Sequence, residues 1–190
     1  FNNFEDPPTF KIGNIWGMRS QYYSWFLLAG SLSREILKRY FDIVNKVLFE
    51  IDPEFELDED DRYKAQLLGV KRVYSGWLRD GLLNSLILLS IYGDKTQHGF
   101  IGIEVENFIN KLLFDANEER WFSVATMLPQ LAEASPEAFL SNIEKALYME
   151  NPPIKVSFRE GEDALTSRCN HSGLMWALES LAWDEQYLTR

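Results

Sequence analysis

Residues 75–93 read Ser-Gly-Trp-Leu-Arg-Asp-Gly-Leu-Leu-Asn-Ser-Leu-Ile-Leu-Leu-Ser-Ile-Tyr-Gly, and the spacing of their apolar side chains decides the fold class. Ser75 carries a hydroxyl able to accept a backbone N–H of a first helical turn. In the helix that follows, Trp77, Leu78, Leu82, Leu83, Leu86, Ile87, Leu89 and Ile91 leave few polar positions on any face. Such a helix is shielded only when other elements surround it, which places it in the middle of a helical domain. Its densest part, Leu82 to Tyr92, is interrupted by Asn84, Ser85 and Ser90 and has about half the length of a membrane span, so it reads as core.

The same three-and-four spacing recurs on both sides. Upstream, after an irregular arm over about residues 1–19, the apolar and aromatic run from Gln21 to Ala29 predicts a short buried helix that stops at Gly30. Ser33 then caps a helix whose stripe is Ile36, Tyr40, Ile43, Val44, Val47, Leu48 and Ile51 and which ends at Asp52-Pro53. Asp58 to Asp61 suit the start of a shorter surface helix through Ala65 and Leu68 to Gly69. Downstream, Ile103, Val105, Phe108, Ile109, Leu112 and Leu113 form another stripe that ends near Asp115. Asn117 caps a segment carrying Trp121, Val124, Ala125, Leu128 and Leu131, and Pro129 predicts a kink or break near Ala125 to Pro129. Ser135-Pro136-Glu137 opens a helix through Phe139, Leu140, Ile143 and Leu147. Pro152, Pro153 and Gly161 mark the longest loop, about 151–170, and a last full helix runs from about Ser172 to Ala182. The expectation is one all-α domain over 1–190. Its antiparallel helical hairpins form either an α-solenoid-like repeat segment or a compact bundle of seven to eight helices.

Composition narrows the function classes. The chain has 190 residues, 46% apolar and 14% aromatic, with one Cys, which excludes a disordered chain, a disulfide framework and a Cys-rich zinc module. A net charge of −10 opposes binding to nucleic acid or to an anionic membrane surface. The lone Cys and the lack of an export signal favour the cytoplasm, and the start at Phe1 and stop at Arg190 read as a piece of a longer chain.

Few candidate sites survive comparison with simpler roles. The acidic run Asp52, Glu54, Glu56, Asp58, Glu59, Asp60 and Asp61 contains alternate carboxylates that invite comparison with a calcium loop, but Leu57 stands where the sharp turn needs Gly and Tyr63 where the bidentate Glu belongs. It reads as a solvated loop with Phe55 and Leu57 anchored inward. Cys169 and His171 could form a thiol–base pair and are the centre of the rival reading, a small stand-alone enzyme or adaptor domain. Residues two apart on one helix or strand do not usually face each other, and a metal site would lack a fourth ligand besides Cys169, His171 and His98. Lys64, Lys71, Arg72 and Arg79, interleaved with Tyr74 and Trp77, could contact a nucleotide or a strand, but read as a solvated helix face with Arg79 free for an inter-helix ion pair. The aromatic cluster Trp16, Tyr22, Tyr23, Trp25 and Phe26 belongs mostly to a core, with Trp16, Tyr22, Tyr23 and Trp25 as the candidate contacts to a partner.

Four strings carry a resemblance: Leu32-Ser33-Arg34-Glu35, residues Tyr74 to Leu82, residues Leu128 to Leu140 (Leu-Pro-Gln-Leu-Ala-Glu-Ala-Ser-Pro-Glu-Ala-Phe-Leu), and residues His171 to Trp183 (His-Ser-Gly-Leu-Met-Trp-Ala-Leu-Glu-Ser-Leu-Ala-Trp). In this order they resemble the helical region of very large bacterial STAND-type NTPases, including antiviral members that sense phage components. The resemblance spans about Ser33 to Leu188 and implies a non-catalytic segment of a helical array that recognises a trigger and mediates assembly. The implied partners are other modules of the same polypeptide, a second copy or a phage protein, with no cofactor in this segment. The chain lacks the family's phosphate loop, its acidic magnesium motif and any effector, so no catalytic residue is carried over.

Overall fold

The computed structural model describes residues 7–159 and 170–190, except for the Trp16 side chain. Side-chain caps set where several of its helices begin. The Ser33 hydroxyl accepts from Ile36 N at the start of α2 (Arg34–Leu48), and Ser75 accepts from Leu78 N at the start of α3 (Gly76–Tyr92). Asn117 accepts from Arg120 N at the start of α5 (Glu118–Val124). Between α3 and α5 lies α4 (Ile101–Leu113). The break expected at Pro129 is present: α5 gives way to a 3-10 turn at Ala125–Met127 before α6 (Leu128–Ala134), because Pro129 has no N–H to continue the ladder. Ser135 alone separates α6 from α7 (Pro136–Leu147), and α8 (His171–Ala182) and the short α9 (Glu185–Leu188) close the chain.

The helices stack as hairpins. α3 packs on α4, α6 on α7 and α8 on α9. Like members then meet: α3 touches α6 and α6 touches α8 in one layer, while α4 touches α7 in the other. Arg190, just after α9, extends this second layer by pairing with Glu137 and Glu144 of α7. Each hairpin therefore buries its apolar face on the next, an arrangement common to helical-repeat segments and compact helical bundles. Leu83, Leu86, Ile101, Val105, Ile109, Trp121, Leu128, Leu131 and Phe139 fill the space between the layers. α2 covers the first hairpin through the Tyr40 hydroxyl, which donates to the Leu82 carbonyl at 2.7 Å, and through Phe49, whose ring meets Phe108 edge-on. At the other end of α6 a side chain is forbidden. A Cβ at Gly173 in the first turn of α8 would overlap the Ala125 carbonyl, so glycine sets how closely α8 approaches the α5–α6 break.

Several expectations are corrected. The arm is not irregular: β1 (Thr9–Ile12) and β2 (Ile15–Met18) form an antiparallel hairpin, turned by Gly13 at φ +59°. The following α1 (Gln21–Leu28) buries only Ser24, and Tyr22, Tyr23 and Phe26 are exposed. Trp77 is 90% exposed, because the buried stripe of α3 starts a turn later at Leu82. The acidic loop is not simply solvated, since Asp52 and Glu54 are buried. The 59–69 segment forms a 3-10 helix at Glu59–Lys64 and not an α-helix. The 151–170 loop contains a 3-10 helix at Pro153–Phe158 that tucks Ile154 and Val156 into the body.

Candidate functional site

The starts of α3, α6 and α8 lie along one edge of the stack, and a cleft of about 560 Å³ opens there. Gly76 and Arg79 of α3, Thr126 ahead of α6 and Asn170 ahead of α8 contribute to its wall. Lys71, Arg72 and Tyr74, on the connection leading into α3, face Asp52 and Glu54 across it. Arg72 and Asp52 form the floor. Asp52 Oδ2 accepts from Arg72 Nε at 2.9 Å and lies 2.7 Å from Nη2, while Oδ1 accepts from Glu54 N at 3.1 Å. Arg72 Nη2 also donates to the Ser123 carbonyl at 2.6 Å, and the Ser123 hydroxyl accepts from Asp52 N at 2.8 Å. Both partners of this ion pair are thus further hydrogen-bonded, the condition under which a buried pair is tolerated.

A second tie runs beside it. Glu50 accepts from the backbone N–H groups of Val73 at 2.5 Å and Tyr74 at 3.4 Å. Arg79 Nη1 donates to the Tyr74 carbonyl at 2.6 Å and lies 3.7 Å from Glu50. Burial, and next the neighbouring Arg72 charge, hold the Arg79 guanidinium below its ordinary value. The same two causes act on Arg120, which lies 4.9 Å over the Phe49 ring. Two guanidinium groups therefore feel a third cation through partly desolvated surroundings.

A second chamber of about 260 Å³ shares Thr126 and Asn170 with the first. Pro129, Gly173 and Trp176 line it, with Trp176 68% exposed.

The predicted partner residues are only partly solvent-facing. Tyr22 and Tyr23 are exposed, and Tyr22 meets Tyr92 edge-on at 5.4 Å. Trp25 instead packs half-buried against the core. Trp16 occupies β2 opposite Lys11, and its side chain lies outside the described residues. Around Tyr22 and Tyr23 the hairpin exposes Ile12, Ile15 and Met18. Lys95 lies 4.5 Å over the ring of Phe26.

Of the basic and aromatic patch, the fold brings Lys71, Arg72, Tyr74 and Arg79 to the cleft. Lys64 is turned away to Asp61 at 2.9 Å, and Trp77 stands in solvent. Arg79 does join an ion pair, with Glu50 of the 49–52 connection. Cys169 lies outside the described residues. His171 stacks on Phe158 with ring centroids 5.6 Å apart, and His98 meets Glu104 at 2.8 Å. Among the described residues no three His, Cys, Asp or Glu side chains converge as metal ligands would, and no helix is long and apolar enough to cross a membrane. No local pattern in the sequence marks the cleft, because its lining runs from Asp52 to Trp176, 124 residues apart.

Compared with family models, with curated proteins and with solved structures, the chain matches none.

Proposed function

We propose that this chain is a non-catalytic scaffold and sensor segment of a large bacterial STAND-like NTPase implicated in antiphage defence, acting through protein–protein or interdomain contacts in the cytoplasm. The observation that carries the reading is the exposed apolar surface of the last hairpin. Trp183 is 86%, Leu188 64% and Met175 42% exposed. A hairpin that ends a helical stack needs a polar outer face to stay soluble, whereas an internal one keeps apolar side chains for its neighbour. α8–α9 has the surface of an internal hairpin. The exposed Tyr22, Tyr23 and Phe26, with Ile12 and Ile15 of the hairpin, add further apolar and aromatic side chains of the kind that contacts use.

The first test is the complete reading frame, where a phosphate-loop NTPase module supports the proposal and a self-contained gene of this length sinks it. The second uses the full-length protein with Trp183→Ser and Leu188→Ser. Assembly measured by light scattering should fall while the melting temperature holds, and unaltered assembly would remove the contact role of this face.

A further inference from the structure

The two-chambered cleft at the starts of α3, α6 and α8 has no part in the contact role just proposed. It has the dimensions of a small-molecule site: about 560 Å³ in the larger chamber falls inside the usual range for ligand pockets. Its charges can be sorted into those the fold uses and those it leaves over. Asp52 is consumed, with one oxygen on Arg72 and the other on a backbone N–H, and Glu54, the second acid of the lining, is buried and partnered as well. Glu50, behind the wall, accepts from two backbone N–H groups and pairs with Arg79 Nη1 at 3.7 Å, which leaves the other nitrogens of that guanidinium. Arg79 thus uses one terminal nitrogen on the Tyr74 carbonyl, and Lys71 makes no ion pair among the described residues. Among the charged side chains of the larger chamber, the donors left over are those of Arg79 and Lys71, with the neutral donors of Gln66 and Asn170 beside them. Crowding of Arg79 by Arg72 in a partly desolvated wall is an electrostatic cost that an entering anion would relieve.

The smaller chamber differs in chemistry. Pro129 and the exposed indole of Trp176 offer a flat apolar surface, and Thr126 and Asn170 border both chambers. Indole faces stack on planar rings, and such contacts depend little on ring substituents.

We propose that this cleft binds a small anionic molecule, its phosphate or carboxylate group held by Arg79 and Lys71 in the larger chamber and a flat ring laid against Trp176 in the smaller. Arg72, locked on Asp52, shapes the floor and repels cations without giving up its partner. The net charge of −10 sets a repulsive field around the molecule, so binding depends on these local groups and weakens as salt screens them. Phosphate and carboxylate share this recognition, and the probes separate them.

Isothermal titration calorimetry of the 190-residue chain at low salt uses three probes: pyrophosphate, citrate, and ADP, which adds a ring to a phosphate head. The expected result is saturable binding of at least one, tightest for ADP if phosphate is the natural group. Lys71→Glu should weaken binding about tenfold, the loss equivalent to one charge-assisted contact. Trp176→Ser should weaken ADP alone. Lys71 is exposed, so its variant retains the fold, and amide shift mapping on the unaltered chain reads the site without any substitution. Perturbations should cluster at residues 71–79, 126 and 170–176. The proposal is overturned if none of the three probes binds at millimolar concentration. It is equally overturned if binding is indifferent to Lys71→Glu and Arg79→Gln, or if shifts map elsewhere. Each of these results leaves the contact role of Trp183 and Leu188 untouched, so the two ideas fail separately.

Discussion

Gly173→Ala sets two opposed effects against each other, and their balance depends on how α8 is docked. In an unobstructed helix, Ala in place of Gly stabilises by about 0.5–1 kcal/mol through the smaller entropy of the unfolded chain. Here the added methyl would enter the space of the Ala125 carbonyl, a backbone group held at the break between α5 and α6. A flexible side chain could swing aside, but this carbonyl can move only with the start of α6, which is packed on α3, α7 and α8. Overpacking of that kind costs about 1–3 kcal/mol, so the net effect is a loss of up to about 2.5 kcal/mol. For a domain of 190 residues that is a fall in melting temperature of up to about 10 °C. Thermal unfolding followed by far-ultraviolet circular dichroism, run beside the unaltered chain, measures it. A Gly173→Ala variant that melts higher would mean that α8 does not approach Ala125 closely, and the stacking of the last hairpin on α6 would have to be redrawn.

Two further outcomes follow from the core and from the end of the chain. Leu86, fully buried in α3, tolerates no charge: Leu86→Asp should cost about 3–5 kcal/mol and leave no cooperative transition near that of the unaltered protein, and a melt within a degree of it would remove Leu86 from the core. Arg190 holds the Glu144 carboxyl below its ordinary value through a charge-assisted hydrogen bond. A depressed carboxylate contributes above its unfolded value and loses that contribution as pH falls through the folded one, so α9 should stay docked at neutrality and loosen below about pH 4. The Arg190 Nε–Hε resonance reports this directly, and a signal unchanged into strong acid would show that the clamp does not depend on Glu144 ionisation.

The parts of the fold legible in the sequence are those that local chemistry controls. Ser33, Ser75 and Asn117 act within three residues of themselves, and the Pro129 break follows from a missing N–H, so each could be placed without knowing the rest of the chain. The hairpin signal was also local: Ile12-Gly13-Asn14-Ile15 is a two-residue turn between β-branched residues, obscured by the nearby prolines. The burial of Asp52 is hidden from local sequence for a different reason. Its partners Arg72 and Ser123 are 20 and 71 residues away, and an acid among acids looks solvated until those arrive. Trp77 shows the opposite limit, since periodicity says which residues could share a face but not where the neighbouring helices begin to cover it. The candidate site was legible only as ingredients. Lys71, Arg72, Tyr74 and Arg79 could be read as a group, whereas the chamber they line is made by α5, α6 and α8 coming to meet them.

The β1–β2 ribbon divides the molecule by lifetime as well as by position. Among the described residues its ladder joins β1 to β2 and to no third strand, and Ser24, donating to the Pro8 carbonyl at 3.3 Å, ties its base to α1. A two-stranded ribbon is marginal by itself, so residues 9–18 can open and reclose many times while Leu83, Leu86 and Ile109 stay packed. Hydrogen exchange at these amides should therefore be set by the ribbon's own opening, and a protease that nicks Lys11 or Arg19 should leave the α3–α9 body folded.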